Sequence, residues 1–260
     1  MMTALAGRRA VLLFAAANLL FLLVDVALAH SAFRHSRAEL VPLVASAIFG
    51  PALALLALVP AGPRARLGLW PIALGCIATG VLGLRYHLGP GAFSEFTLHR
   101  LVYSAPLAAP LAYAGLGSLV LVAEHAAAAP RGRLIELLAG LGLFGNFALC
   151  LLDHAQNGFW APVEWGSVAA GALGGLALCT AAASSEERPQ ERRFLWIVLG
   201  SMVATAALGA TLHLRGLLEA TGQPLLEKLQ YGPPLFAPML FADLAALGAL
   251  GMLARSHGER

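Results

Sequence analysis

Two histidines at matched positions are the residues of this sequence best suited to bind a metal ion. His87 belongs to the pattern A-T-x-x-L-G-x-x-x-H-L at residues 78–88, and the pattern returns at residues 204–214 with His213 in the same place. Imidazole is a ligand of Zn, Cu and Fe, and it also binds the iron of haem. Because an apolar helix gains nothing by keeping histidine in register, we expect both residues to point inward and to bind a cofactor.

Tyrosine is also repeated, within the pattern L-x-Y-x-x-P-L-x-A-P that follows each histidine. Each tyrosine stands four residues after a polar residue, which places His99 with Tyr103, and Glu227 with Tyr231, on one helix face. We expect the two pairs to point inward, so that the tyrosines can donate hydrogen bonds to a ligand. Anchoring at the membrane interface is the alternative for both tyrosines.

Further pairs of ligand-type residues flank the predicted turns. His30 is followed by Glu39, and His154 is followed by Glu164. Carboxylate and imidazole together suit Zn, Cu, Fe or Mn, and helical bundles commonly hold such sites. The predicted metal ligands are therefore His30, Glu39, His87, His154, Glu164, His213 and Glu227.

Three aspartates lie within or next to apolar runs. Asp25 and Asp153 each follow an asparagine by seven residues, or about two helical turns, and we expect them to orient the imidazoles through hydrogen bonds. Asp243 is predicted near the middle of the last apolar run, where an acid is costly unless it is paired. A proton relay is one interpretation of Asp243, and a neutral or hydrogen-bonded side chain is the other.

The elements that would position these residues are membrane-spanning helices. The sequence is 59% hydrophobic and 12% charged, with a mean hydropathy of +0.76, whereas a soluble domain carries about 25% charge. Apolar runs of about 20 residues between polar turns predict an all-α integral membrane protein. The eight predicted spans are residues 10–29, 40–59, 67–87, 101–122, 134–152, 165–183, 194–214 and 235–253. The prolines of the repeat are predicted to kink the fourth and eighth spans: Pro106, Pro110, Pro234 and Pro238.

The repeats predict two tandem halves, residues 1–128 and 129–260, each with four helices. An even number of spans returns the chain to its starting side, so the halves are predicted to be parallel repeats. Eleven basic residues fall at the ends taken as inner and six at the outer ends, which favours both termini in the cytoplasm of a bacterial inner membrane. Six of the eight histidines then lie at the periplasmic face.

Several other features have plainer interpretations or exclude a class of protein. Residues 1–29 also imitate a cleavable signal peptide, so retention and cleavage both stay open. The cysteines form no C-x-x-C pair, which argues against a disulfide framework, and the absence of a basic stripe argues against a nucleic-acid partner. Polar residues where helices meet water need no functional explanation, and this interpretation suits His35, His125, His257, Glu95 and Glu219.

The predicted layout is similar in outline to the haem A synthase family, which has two four-helix halves with histidines near the outer ends. The segment Glu95-x-x-x-His99-Arg100 resembles that family's acid-then-His-Arg signature, with one additional residue between the acid and the histidine. The resemblance implies histidine ligands on the even-numbered helices. His99 fits that rule, whereas the eighth span offers Glu227.

The sequence thus predicts a site at the periplasmic face, between the halves, that binds haem or a transition metal such as Cu, Fe or Zn. Redox work, or delivery of the cofactor to a periplasmic or membrane redox partner, is the expected function. A small-solute or proton-coupled transporter and a non-catalytic assembly subunit are the alternatives. Whether the protein is an enzyme stays open.

Overall fold

The computed structural model describes residues 2–31, 36–60, 62–89, 97–125, 128–184 and 188–258. Side chains are described for the same residues, except 2–6, 64, 128–129 and 257–258. His35 and Glu95 lie outside the described residues, as does the side chain of His257.

In these ranges every regular element is an α-helix, and ten helices follow one another along the chain. They are α1 Met2–His30, α2 Arg37–Leu58, α3 Pro63–Leu88, α4 Leu98–Tyr103, α5 Leu111–His125, α6 Ala128–Gln156, α7 Glu164–Ala183, α8 Pro189–Glu219, α9 Leu225–Tyr231 and α10 Met239–Gly258.

Seven of the described helices are long and apolar enough to cross a membrane: α1, α2, α3, α6, α7, α8 and α10. Their outer surfaces carry large apolar side chains, and Leu55, Leu67 and Ile197 are each at least 68% exposed. Apolar surface on this scale is unfavourable in water and favourable against lipid tails. The prediction of a multi-pass helical membrane protein is confirmed.

The fourth and eighth predicted spans differ from the structure, because each is broken rather than kinked. The short helices α4 and α9 end at Tyr103 and Tyr231, and α5 and α10 begin only at Leu111 and Met239. Residues 104–110 and 232–238 between them are not helical. Proline has no N–H to donate and disfavours helical backbone in the preceding residue, and these two segments each hold two or more prolines. Helix α5 has only 15 residues, which is too short to count as a full span.

The helices pack in the same order in residues 1–128 and in residues 129–260. Helix α1 contacts α2 and α5, and α3 contacts α2 and α5; likewise α6 contacts α7 and α10, and α8 contacts α7 and α10. Between the two parts, α1 packs on α10 and α5 packs on α6. The buried core therefore centres on α1, α5, α6 and α10, with Leu12, Leu19, Leu143 and Phe241 almost fully enclosed.

The two ends of this bundle differ in their polar residues. We call the end at which α1, α3, α6 and α8 finish the histidine end, and the end at which α1 begins and α10 finishes the terminus end. At the terminus end, Arg8 Nε lies 2.7 Å from Glu124 Oε2, which joins α1 to α5. Arg255 Nη1 lies 3.2 Å from Glu136 Oε2, which joins α10 to α6. All four side chains are buried.

Candidate metal and cofactor site

The broken helices position His87 and His213 in the same way. Nδ1 of His87 lies 2.8 Å from the carbonyl oxygen of Pro106, and Nδ1 of His213 lies 2.8 Å from that of Pro234. In a continuous helix each of these carbonyls would accept from the residue four positions later. That residue is Pro110 or Pro238, which has no N–H. Each carbonyl accepts instead from the backbone N–H three positions later, of Ala109 or Ala237, and the ring nitrogen is its second partner.

Glycine makes the same approach possible in both places. Gly83 and Gly209, one turn before the histidines, face Pro110 and Pro238. A Cβ atom on Gly83 would lie 2.7 Å from Pro110 Cβ, and one on Gly209 would lie 2.8 Å from Pro238 Cβ. Only a residue without a side chain lets α3 and α8 lie this close to the breaks.

The hydrogen bond to a carbonyl fixes the form of each imidazole. A carbonyl oxygen only accepts, so Nδ1 must carry the proton and donate. In the neutral ring, Nε2 is then left with a free lone pair and can act as a metal ligand. An Nδ1–H bond to a backbone carbonyl is the arrangement by which metal-binding histidines are commonly oriented.

In residues 1–128, the structure brings His30 next to His87. Their rings are arranged edge to face with centroids 6.5 Å apart. This is within roughly 1–2 Å of the separation of two imidazoles on one ion, given metal–nitrogen bonds of about 2.0 Å. Glu39 lies in the first turn of α2, and its Oε2 is buried without a hydrogen-bond partner among the described residues. Asp25, on α1, lies within electrostatic range of Tyr113.

Residues 129–260 hold the corresponding side chains, Asp153, His154, Glu164 and His213. Asp153 interacts electrostatically with both His154 and His213. His154 Nδ1 lies 3.4 Å from Glu164 Oε2, in the first turn of α7. Acid, histidine, histidine and glutamate thus lie on corresponding helices in both parts of the chain.

Four of the predicted site residues do not point inward. His99, Tyr103, Glu227 and Tyr231 are exposed, with Tyr103 59% and Tyr231 69% accessible. The four-residue spacing does bring two rings together, since the centroids of His99 and Tyr103 are 4.7 Å apart. The prediction that these pairs face the interior is wrong, because the breaks reduce α4 and α9 to one or two turns that present these side chains outward.

Within the described ranges, no three His, Cys, Asp or Glu side chains form a group able to hold a metal ion. The structure instead offers close pairs, His30 with His87 and His154 with Glu164. Helix α3 packs on α2 and α5, and α8 packs on α7 and α10, so His87 and His213 lie on helices that pack within different parts of the chain.

Asp243 has a partner that the sequence did not reveal. Its Oδ1 accepts a hydrogen bond of 2.9 Å from Nδ2 of Asn18, on α1. Of the two interpretations considered for Asp243, the contact favours a side chain bonded to a neighbouring helix. Asn18 lies midway along the apolar stretch Gly7–His30, so the pair is remote from either end of α1.

Sequence reasoning missed the buried acids at the terminus end. Glu136 is 1% exposed and Glu124 is 8% exposed, and neither was assigned a role from the sequence. Arg66 Nε adds a second contact to Glu124, at 3.0 Å. The sequence did contain a hint that these charges matter: Glu136 stands 128 positions after Arg8, the same offset that relates Tyr103 to Tyr231. Arg8 and Glu136 are therefore charged residues at corresponding positions.

The chain was compared with models of protein families, with curated proteins and with solved structures. None of the three comparisons gave a match.

Proposed function

We propose that this chain is a multi-pass protein of the bacterial inner membrane that binds haem or a transition metal ion at its histidine end. Its work would be redox chemistry, or delivery of the cofactor to a periplasmic or membrane partner. One observation carries the proposal: His87 and His213 both donate Nδ1–H to a proline carbonyl at 2.8 Å, which leaves Nε2 ready to bind a metal.

We further propose that residues 1–128 and 129–260 are two tandem, parallel four-helix repeats, with α4–α5 and α9–α10 as the fourth helix of each. The equal order of helix neighbours supports this layout, as do the paired histidine–proline contacts. Both termini would lie in the cytoplasm and the histidine end at the periplasmic face, as the distribution of basic residues favours.

Each repeat would then hold its own ligand group, in place of one site shared between the halves. In the first repeat the ligands are His30 and His87, with Glu39 as a third candidate. In the second they are His213 and His154, with Glu164. Asp25 and Asp153 would orient the imidazoles. A haem iron needs only one or two side-chain ligands, so the imidazole pair of the first repeat, or His213 alone in the second, is sufficient.

The test is to purify the full chain in mild detergent and to record an absorption spectrum and a metal analysis. We expect a Soret band or a stoichiometric metal, reduced by His87→Ala and by His213→Ala and lost in the double variant. His125→Ala is the matched control. His125 also places Nδ1 near a backbone carbonyl, Leu121 O at 3.2 Å, but it is exposed near the end of α5 opposite the histidine end.

The outcome that would contradict the proposal is equally clear. Wild-type protein with neither a Soret band nor bound metal after reconstitution with haem and with Cu, Fe and Zn salts would overturn it. Binding that survives in the double variant would overturn the assignment of His87 and His213 as ligands.

A further inference from the structure

A cavity of about 720 Å³ lies between α1, α8 and α10. Its walls are apolar except at three residues, Asn18, Thr211 and Asp243. The volume is within the range of pockets that hold small organic molecules, about 300–1,000 Å³. Apolar walls with a few convergent polar groups are the usual form of such sites, and none of the described histidines lines this one.

The hydrogen-bond donors of Asn18 and Thr211 are already used within the protein. Asn18 Nδ2 donates to Phe14 O at 3.1 Å and to Asp243 Oδ1 at 2.9 Å, which uses both of its hydrogens. The Thr211 hydroxyl donates to Ala207 O at 2.8 Å. What remains for a ligand is the second carboxylate oxygen of Asp243, the amide oxygen of Asn18 and the lone pairs of Thr211, and all of these accept. With Asp243 ionised, a ligand must therefore donate hydrogen bonds.

The depth of the cavity adds a requirement on charge. Asn18, to which Asp243 is bonded, lies midway along the apolar stretch of α1. A carboxylate at such a depth is costly unless a cation or a donor compensates it. The described contacts of Asp243 include the amide of Asn18 and no positively charged side chain. A cationic donor from outside the chain would supply what is lacking.

The rest of the wall suits an apolar, ring-containing body. Phe21 and Phe236 both line the cavity and meet edge to face, with centroids 5.3 Å apart. Leu214 and Met239 continue the apolar wall. Aromatic faces also attract cations, which reinforces the preference for a positively charged head group.

We propose that the cavity between α1, α8 and α10 binds a lipid-soluble amine, whose protonated nitrogen donates hydrogen bonds to Asp243 and whose apolar body packs against Phe21 and Phe236. The proposed occupant is a cationic amphiphile. A lipid acyl chain, which has no hydrogen-bond donor, is the competing occupant that the experiment must distinguish from it.

The probe is 2-(1-naphthyl)ethylamine, and the corresponding alcohol, 2-(1-naphthyl)ethanol, is the neutral control of nearly equal size. Binding of each to the purified full chain in detergent is measured by isothermal titration calorimetry. We expect the amine to bind at least about tenfold more tightly than the alcohol, as one charge-assisted hydrogen bond implies. Asp243→Asn should abolish this difference by weakening only the amine.

Two further variants make the test independent of how well Asp243→Asn folds. Ala210→Phe fills the cavity without removing the carboxylate, and we expect it to weaken amine and alcohol alike. Thr205→Val, one and a half turns away on α8 and outside the cavity, should leave both affinities unchanged. Equal affinity of wild-type protein for amine and alcohol, or amine binding undisturbed by Asp243→Asn, would overturn the proposal. Haem or metal content is read separately on the same samples and does not enter this outcome.

Discussion

Glu136 and Arg255 illustrate what a single buried contact contributes in this protein. Arg255 joins three elements, because Nη1 contacts both Glu136 and the carbonyl of Ala181, and Nη2 reaches the carbonyl of Ser184 at the end of α7. Both charged side chains are at most 3% exposed. A buried pair of this kind adds little over an apolar pair, but removing one partner strands the other charge.

We therefore expect Arg255→Met to destabilise the protein by about 3–5 kcal/mol, because Glu136 loses the guanidinium of Arg255 in a buried position. The measurement is the thermal unfolding midpoint in detergent, followed by circular dichroism. Arg215→Met is the control: Arg215 pairs with Glu219 at 2.6 Å, but both side chains are exposed, so little change is expected.

The double variant Arg255→Met/Glu136→Leu sharpens this test. If the loss comes from a stranded carboxylate, the double variant should recover part of the stability lost in the single one. A double variant that is less stable than Arg255→Met would show that the other contacts of Arg255 dominate.

At the residue scale, the sequence revealed which residue types are repeated but not what they contact. His87, His213 and the prolines were found in register, yet the carbonyl that each ring would bind could not be identified. Each carbonyl lies at a break in its helix, where Pro110 or Pro238 offers no N–H, and the sequence did not show that the helix breaks there. The ion pair of Arg8 and Glu124 spans 116 positions, and no local pattern reports such a contact.

The helices depend on glycine for their close approach. Helix α5 carries Gly115 and Gly117, two positions apart, in different surroundings. A Cβ atom on Gly117 would collide with the carbonyl oxygen of Ala73 on α3, whereas one on Gly115 would meet nothing within 4 Å. Substitutions at Gly115 and Gly117 can therefore distinguish the effect of helix packing from the effect of backbone flexibility.

Gly117→Ala should destabilise the protein by about 1–3 kcal/mol, since α3 and α5 must move apart to admit the methyl group. Gly115→Ala should be neutral or stabilising by about 0.5–1 kcal/mol, because alanine restricts the unfolded chain in a helix that has room for it. Thermal unfolding in detergent measures both. Equal effects of the two substitutions would contradict the packing of α3 on α5.

At the element scale, the apolar runs predicted six of the spans well, because the part of a helix that contacts lipid consists of apolar residues. The predicted span 134–152 corresponds to Ala128–Gln156, since polar residues continue the helix beyond the apolar part. The fourth and eighth spans were predicted as continuous, because a run of apolar residues with proline is compatible with a kink or with a break. Only tertiary contacts, such as that of His87 with Pro106, decide between the two.

For the whole molecule, the arrangement of α1, α5, α6 and α10 decides where a shared site could form. The final helix of each part of the chain packs on the first helix of the other, as α10 does on α1 and α5 on α6. Helices α3 and α8 lie outside this group of four. This geometry is the reason for proposing two ligand groups rather than one.

The proposed orientation can be tested with two exposed positions in a variant that has all three native cysteines replaced by serine. Asn157 lies between α6 and α7 at the histidine end, and Gln190 lies in the first turn of α8 at the terminus end. We expect a membrane-impermeant maleimide to label Asn157→Cys in spheroplasts, and Gln190→Cys only after lysis. The reverse pattern would place the histidine end in the cytoplasm.

The two buried ion pairs have opposite polarity, and this constrains how the helices can pair during assembly. In the pair of Arg8 with Glu124, the arginine is on α1 and the glutamate is on α5. In the pair of Glu136 with Arg255, the glutamate is on α6 and the arginine is on α10. If α1 and α6 exchanged places during insertion, Arg8 would meet Arg255, and Glu136 would meet Glu124. Each mispaired state would confine two like charges away from water, so opposite polarity in the two pairs discriminates the native arrangement from its swapped counterpart. The polarity of the two ion pairs thereby distinguishes the helix pair α1–α5 from the helix pair α6–α10.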